Sequence, residues 1–265
     1  MNSQLGALLR NEISKALRRK LPYFGVFMTG FLCWLIYIAA DQLSNAANAN
    51  AWGYISFSMQ LVFTDIGLIF ILVFSAMLLA EETGSGIIRA ALSAPLLRWE
   101  FYLAKACIGL LYMLFLSIAA LIFSTLMALI RYRFGAVTDP FGVVYSQAEM
   151  TRSFLLAFTL SWIPLSALSM FGLLISTLIR SPGAAVAVGI SSVYLIDFTK
   201  HLIGLDPYIF TKYIGYPWLV IQQAAQGVDF QWQPEIWKMV GYSGGCAVLF
   251  FITGLILFKR QDLNG

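Results

Sequence analysis

Few residues in this chain of 265 could do chemistry, and their spacing withholds more than it offers. The carboxylate pair Glu81 and Glu82 closes a long apolar run, and Asp65 lies inside the same run. His201 is the single histidine, and Cys33, Cys107 and Cys246 are scattered through apolar stretches. Hydrolysis needs a base and an orienting partner together, and only one histidine is on offer. No CxxC spacing occurs, so the cysteines read as small buried packing groups rather than metal ligands or a disulfide. A zinc site would need partners that do not cluster near His201, which is placed instead to pair with Asp197 one helical turn earlier. No Gly-Lys dipeptide occurs, and with it goes any GxxxxGK[ST] loop able to cradle a nucleotide. The expectation is a chain without catalytic residues, without a metal and without a cofactor of its own.

The elements that would hold these residues are set by composition. The chain is 60% hydrophobic and 11% charged, with a mean hydropathy of +0.79, whereas soluble domains run near ~45–50% and ~25%. An all-α membrane protein follows. Crossing ~30 Å of hydrocarbon at 1.5 Å per residue takes roughly 20 uncharged residues. Six stretches qualify, at 22–40, 58–80, 102–130, 153–179, 183–204 and 237–258. The fifth reaches this length only if Asp197, Lys200 and His201 lie at its outer end. Pro164 predicts a kink in the fourth. The pairs Gly172 with Ser176 and Gly241 with Gly245 predict faces on which helices pack closely.

Ahead of the first span, residues 1–21 predict an amphipathic interfacial helix. Leu5, Leu8, Leu9, Ile13, Ala16 and Leu17 share one face, while Arg10, Asn11, Lys15, Arg18 and Arg19 share the other. Glu12, Arg18 and Arg19 are its candidate functional positions. The uncharged run Leu21–Ala40 exceeds the apolar core of a signal peptide, so an uncleaved first span is expected. Between spans two and three, residues 81–100 predict a structured elbow. Gly84 and Gly86 permit a sharp turn, Ile87, Ile88, Ala91 and Leu92 recur at helical spacing, and Pro95 ends the short helix. Arg98 and Lys105 then sit where basic groups meet a cytoplasmic headgroup layer. With the N-terminus inside, eleven of the seventeen Lys and Arg residues are cytoplasmic, Arg131 and Arg133 being the main exceptions. Both termini are therefore expected in the cytoplasm. The connection 205–235 holds YIGYPWLVI, which is too short to cross. It reads either as a re-entrant or interfacial element or as an aromatic-rich outer loop.

The order Glu82, Gly86, Pro95, Arg98, Lys105 resembles the cytoplasmic segment after the second span of ABC-2 type permeases, the membrane subunits of many ATP-driven exporters. There a glutamate, a Gly-Thr, a leucine-rich turn, Pro-x-x-Arg and a later lysine follow one another; Ile87 stands here where the threonine would be. LLRNEISKALRRK is similar to that family's N-terminal interfacial helix, and FKRQDL to its C-terminal tail. The resemblance implies a single transmembrane permease domain over 1–265 in the plasma membrane, the inner membrane of a bacterial cell. It further implies a second permease, identical or related, and two copies of a cytoplasmic ABC ATPase subunit that bind ATP and magnesium. Membrane lipids are the remaining partners, and no nucleic acid is expected. Glu81, Glu82, Gly86, Arg89, Pro95 and Arg98 would form the ATPase-coupling segment, and 205–235 would be re-entrant. Asp65 inside a span costs roughly 2.5–3.5 kcal/mol on insertion scales and should face a partner or water. With Gln60 and Thr64 it is a candidate for the translocation path, or else a helix start at the interface. A second reading comes from Glu81-Glu82, which resembles the EExxxR signature of CPBP-type intramembrane proteases. The arginine position of that signature is Gly86 here, and the next arginine is Arg89.

Overall fold

A computed structural model describes residues 2–43, 50–84, 97–139, 142–200, 202, 204–228 and 232–261. Among them six helical segments are long and apolar enough to cross a membrane. Helix α1 (Asn2–Arg18) precedes α2 (Lys20–Leu43), the first crossing. The second crossing is split into α3 (Ala51–Thr64) and α4 (Ile66–Gly84). Then come α5 (Arg98–Arg131), α6 (Gln147–Leu178), α7 (Pro182–Thr199) and, last in the chain, α10 (Glu235–Arg260). Before α10 lie a 3-10 turn (Asp206–Tyr208) and two short helices, α8 (Phe210–Tyr213) and α9 (Tyr216–Ala225).

Three of these outcomes differ from the sequence expectation. The second crossing was expected over 58–80 without interruption, but Asp65 breaks it with φ −120° and ψ −96°, and helix extends seven residues further at its N-terminal end. Asn50 caps that start, its side chain accepting the Gly53 N–H at 2.9 Å, as Ncap asparagines do. The fifth crossing ends at Thr199 rather than at residue 204. A small antiparallel hairpin, β1 (Val137–Asp139) with β2 (Gly142–Tyr145), stands between α5 and α6 and pairs Val137 with Tyr145.

Helix α6 runs through the middle and packs on α4, α5, α9 and α10. Small residues let it approach closely, as membrane helices require without a hydrophobic force between them. A Cβ at Gly172 would fall 2.8 Å from Ser75 Cβ, and one at Gly109 would fall 2.8 Å from Ser169 Oγ. Ser75 and Ser169 bond each other at 3.0 Å, and Ser176 Oγ accepts the N–H groups of Leu79 and Ala80. The expected Gly172 and Ser176 face is thus the contact with α4. The expected Gly241 and Gly245 face meets nothing within 4 Å, so it carries no packing among the described residues.

The two ends of the bundle are closed differently. At one end gather α1, the end of α4, the start of α5, the α6–α7 turn and the end of α10. At the other, the hairpin and α9 cover the helix tips: Trp52 Nε1 donates to Gly135 O and Asn50 Nδ2 donates to Ala225 O. Trp52, Phe134, Phe154 and Trp218 form an aromatic chain beneath them. Trp218 and the neighbouring Ile221 and Ala224 are fully buried, so YIGYPWLVI, divided between the end of α8 and the start of α9, packs onto the protein.

Candidate functional site

The residues of the predicted 81–100 segment divide at the edge of what is described. Gly86, Arg89 and Pro95 lie outside the described residues, as do Ile87, Ile88, Ala91 and Leu92. Glu81, Glu82 and Arg98 flank them, and each is spoken for within the chain.

Glu82 is in the last turn of α4 and Lys105 in the second turn of α5. Their side chains point inward along the buried stripes Leu78–Leu79–Glu82 and Phe101–Lys105–Ile108. Lys105 Nζ meets Glu82 Oε1 at 2.7 Å and Glu12 Oε2, on α1, at 2.5 Å. It also lies 5.1 Å from the Phe101 ring centroid, a favourable place for an ammonium group. Lys15 closes the circuit, with Nζ at 2.7 Å from Glu12 Oε1 and 3.1 Å from Glu82 Oε1. The Lys105 side chain is 1% exposed and those of Glu12 and Glu82 are 3% and 6% exposed. Two carboxylates and two ammonium groups balance, which is what allows such charges to be buried.

Burial opposes the charge on Glu12, but Lys105 and then Lys15 outweigh it and hold the carboxyl below its ordinary value. Burial likewise opposes the Lys15 cation, while its bonds to Glu12 and the charge of Glu82 hold its pKa above the ordinary value. Outside this circuit Arg19 Nη2 reaches Glu81 Oε2 at 2.6 Å, half-exposed.

Two expectations, those for Lys105 and Gly84, are corrected here. Lys105 does not meet a headgroup layer; it is the buried centre of an ion network. Glu82 turns its carboxylate into the protein, where two lysines hold it. Glu12, a candidate position on the interfacial helix, is the α1 member of this network, a partnership that the amphipathic repeat did not indicate. The available signal was position, since Glu12 follows Leu8 by one turn and Lys105 follows Phe101 by one turn on buried faces. Gly84 is not at a turn either: it is still helical, and a Cβ there would stand 2.7 Å from the Arg180 carbonyl of the α6–α7 turn.

Arg98, at the start of α5, donates to the carbonyls of Lys259 and Gln261 at 2.9 and 3.0 Å. It thereby satisfies carbonyls that the end of α10 leaves without helical partners. Gln261 in turn donates to Thr177 O at 2.5 Å. Helix α1 and the end of α10 thus lie at the pole where α4 ends and α5 begins. A cleft of about 980 Å³ opens there between α1, the end of α4 and the α6–α7 turn, and Arg18 and Arg180 line it, exposed.

At the opposite pole the predicted trio Gln60, Thr64 and Asp65 is brought to one place. Gln60 Oε1 accepts from Gln222 Nε2 of α9. Thr64 Oγ1 donates to Gln60 O at 2.9 Å and to Asp65 Oδ2 at 3.3 Å. Asp65 is exposed, at the break between α3 and α4. Nearby, Lys200 Nζ lies 2.6 Å from Asp197 and 3.7 Å from Asp206, which Lys212 also approaches at 3.3 Å. His201 lies outside the described residues.

Among curated proteins none matches the chain. Residues 8–197, well over half of it, match the family model described as ABC-2 family transporter protein.

Proposed function

The chain belongs to the ABC-2 family of transporter proteins, and from that premise we propose that this multi-pass permease subunit works as an exporter driven by a separate ATPase through residues 81–100. One observation carries the reading. Glu82 and Lys105, on either side of the 85–96 connection, are clamped to each other and to Glu12 of α1 by contacts of 2.5 to 2.7 Å. A push on that connection is therefore delivered to α1, α4 and α5 together, since buried ion pairs resist being pulled apart. Helix α4 passes it on to α6 through the close Ser75, Gly109 and Gly172 contacts.

In this reading two ATPase subunits bind ATP and magnesium and press on the connection that carries Gly86, Arg89 and Pro95 next to Glu81. The cleft lined by Arg18 and Arg180 receives the partner. Glu82, Glu12 and Arg98 act from within, as the anchorage. A second permease, identical or related, completes the path, and Gln60, Thr64 and Asp65 belong to its outer part. The pole bearing both termini faces the cytoplasm in the plasma membrane, in keeping with the excess of Lys and Arg there. Labelling tests the orientation: a cysteine replacing Ser93 stays protected from an impermeant reagent outside, and one replacing Gly227 reacts.

The coupling test replaces 85–96 by a Gly-Ser linker of equal length and leaves Glu82 and Lys105 in place. The expected variant inserts normally, no longer retains the P-loop ATPase that co-purifies with the native chain, and loses ATP-driven transport in vesicles. Retention of both ATPase and transport would overturn the coupling reading.

A further inference from the structure

The outer pole holds a cleft of about 80 Å³ between the end of α3, α7 and α8, lined by Thr64, Tyr194, Asp197 and Thr211 among apolar neighbours. Of its lining only Asp197 is charged; around it, among the described residues, stand Asp65, Asp206, Lys200 and Lys212. Lys200 is held between Asp197 and Asp206, and Lys212 is drawn to Asp206. Asp65 is left with the Thr64 hydroxyl and has no basic partner among the described residues. The Tyr194 ring lies within the field of both Asp65 and Asp197.

Two further features point at a ligand. Thr211 Oγ1 is buried with no hydrogen-bond partner, its residue 9% exposed, and it belongs to the lining of the cleft. A buried hydroxyl left without a partner is uncommon and calls for an occupant. The second feature is the break itself. Thr64 ends α3 at the cleft and α4 starts at Ile66, so the two helix ends offset each other's dipoles and the break contributes chiefly its carbonyls. Interrupted membrane helices offer such C-terminal ends and freed carbonyls to cations.

We propose that this cleft binds a singly charged cation, the ammonium group of an amine or an inorganic monovalent ion, with Asp65 as counter-charge and the Thr64 and Thr211 hydroxyls as acceptors. A divalent metal fits less well, because it needs more anionic oxygen ligands. Among the described residues no three metal-ligating side chains converge. The Tyr194 ring offers a further face for a cation. The space admits the tip of a solute rather than the whole of it. The proposal deepens the path reading of Gln60, Thr64 and Asp65 and rests on it.

The test titrates the purified full chain in lipid nanodiscs with methylammonium chloride and, separately, with potassium chloride. Tetraethylammonium, bulky and without an N–H, keeps the ionic strength constant, and the readout is the unfolding temperature. A saturable rise is expected for the native chain. Asp65→Asn should raise the half-effect concentration about tenfold or more, as loss of a charge-assisted contact does. Thr211→Val, which keeps the shape, should raise it severalfold. A response confined to methylammonium assigns the site to the amine of a solute, and an equal response to potassium assigns it to an inorganic cation. No saturable rise, or the same rise in both variants, overturns the proposal. Transport by Asp65→Asn separates the two readings. Lost binding with unchanged transport keeps the site and removes it from the path; unchanged binding with lost transport keeps the path and removes the site.

Discussion

Each pole of the bundle carries a network of charged side chains, and the two draw on the sequence at different range. Around α1, Lys105 reaches Glu12 across 93 positions and Glu82 across 23, and Lys15 reaches Glu82 across 67. At the other pole Lys200 takes Asp197 three positions away, and Asp206 and Lys212 come from the same connection. The first network is buried except at Lys15, which is 38% exposed, and holds three helices to one another. The second orders one loop, and its carboxylates stay half-exposed, 50% for Asp197. A distant, buried network ties separate helices to one another; a near, wet one orders a single connection.

The largest expected difference follows from making the same substitution in both. Lys105→Met leaves two buried carboxylates facing the single charge of Lys15. Removing one partner of a buried ion pair costs about 3–5 kcal/mol. Lys200→Met removes a buried lysine whose partners still reach water, so about 1–2 kcal/mol is expected, between the exposed and buried limits. Denaturant midpoints in micelles read both. Equal losses would break the contrast between the poles. Adding Glu82→Gln to Lys105→Met sharpens it, because removing the orphaned charge should restore part of the stability.

That contrast also explains what could be read in advance. Six crossings, the helix before them and the all-α class came from uncharged length and helical spacing, which are local properties. Asp197 was expected to pair with His201, which lies outside the described residues; among the described residues it takes Lys200, also a local partner. The Glu12–Lys105–Glu82 circuit was not legible, because spacing says on which face of its helix a residue lies but not which other helix meets that face. Lys105 was assigned to headgroups on its charge alone, although Phe101 and Ile108 already marked its stripe as buried. The break at Asp65 escaped for a different reason. The apolar run from Ala51 to Ala80 carries no proline at 65, and the reading of Asp65 as a helix start did not extend to a helix ending just before it. The hairpin of β1 and β2 was too short to show alternation against the long helices around it.

Proton activity should separate the poles next, with a smaller effect. Glu12 has its pKa held below the ordinary 4.5, so its contribution is complete above that value and is lost as pH falls through the lower folded value. Lys15 is held above 10.5, so its contribution is complete below that value and is lost only as pH rises past it. Between about 4.5 and about 10.5 these two groups leave stability independent of pH. Below about 4.5 the unfolding temperature should drop, and a cysteine replacing Leu8, which is buried against the bundle, should gain reactivity as α1 loosens. Glu12→Gln should flatten the acid limb. An acid limb unchanged in that variant would show that other carboxyls govern it.

The smallest expected effect compares single ion pairs, one from each pole, that are neither buried nor part of a closed circuit. Arg19 and Glu81 join α1 to α4 at 2.6 Å with side chains 23% and 30% exposed, while Lys238 and Glu235 join one turn of α10 at 2.7 Å with side chains 46% and 35% exposed. The distances are nearly the same, so any difference must come from solvent and from chain connectivity. Water screens both pairs, but Arg19 and Glu81 also close a long loop between two helices, and their partial burial weakens the screening. A double-mutant cycle with Arg19→Gln and Glu81→Gln should give a coupling of about 0.5–1 kcal/mol, the upper part of the range for surface pairs. The cycle with Lys238→Gln and Glu235→Gln should give a coupling that cannot be told from zero, because its helical turn forms without it. Raising the salt concentration should shrink the first coupling and leave the second where it was. Two couplings of equal size would mean that sequence range is irrelevant once water has access, and would confine the difference between the poles to the buried circuit of Lys105.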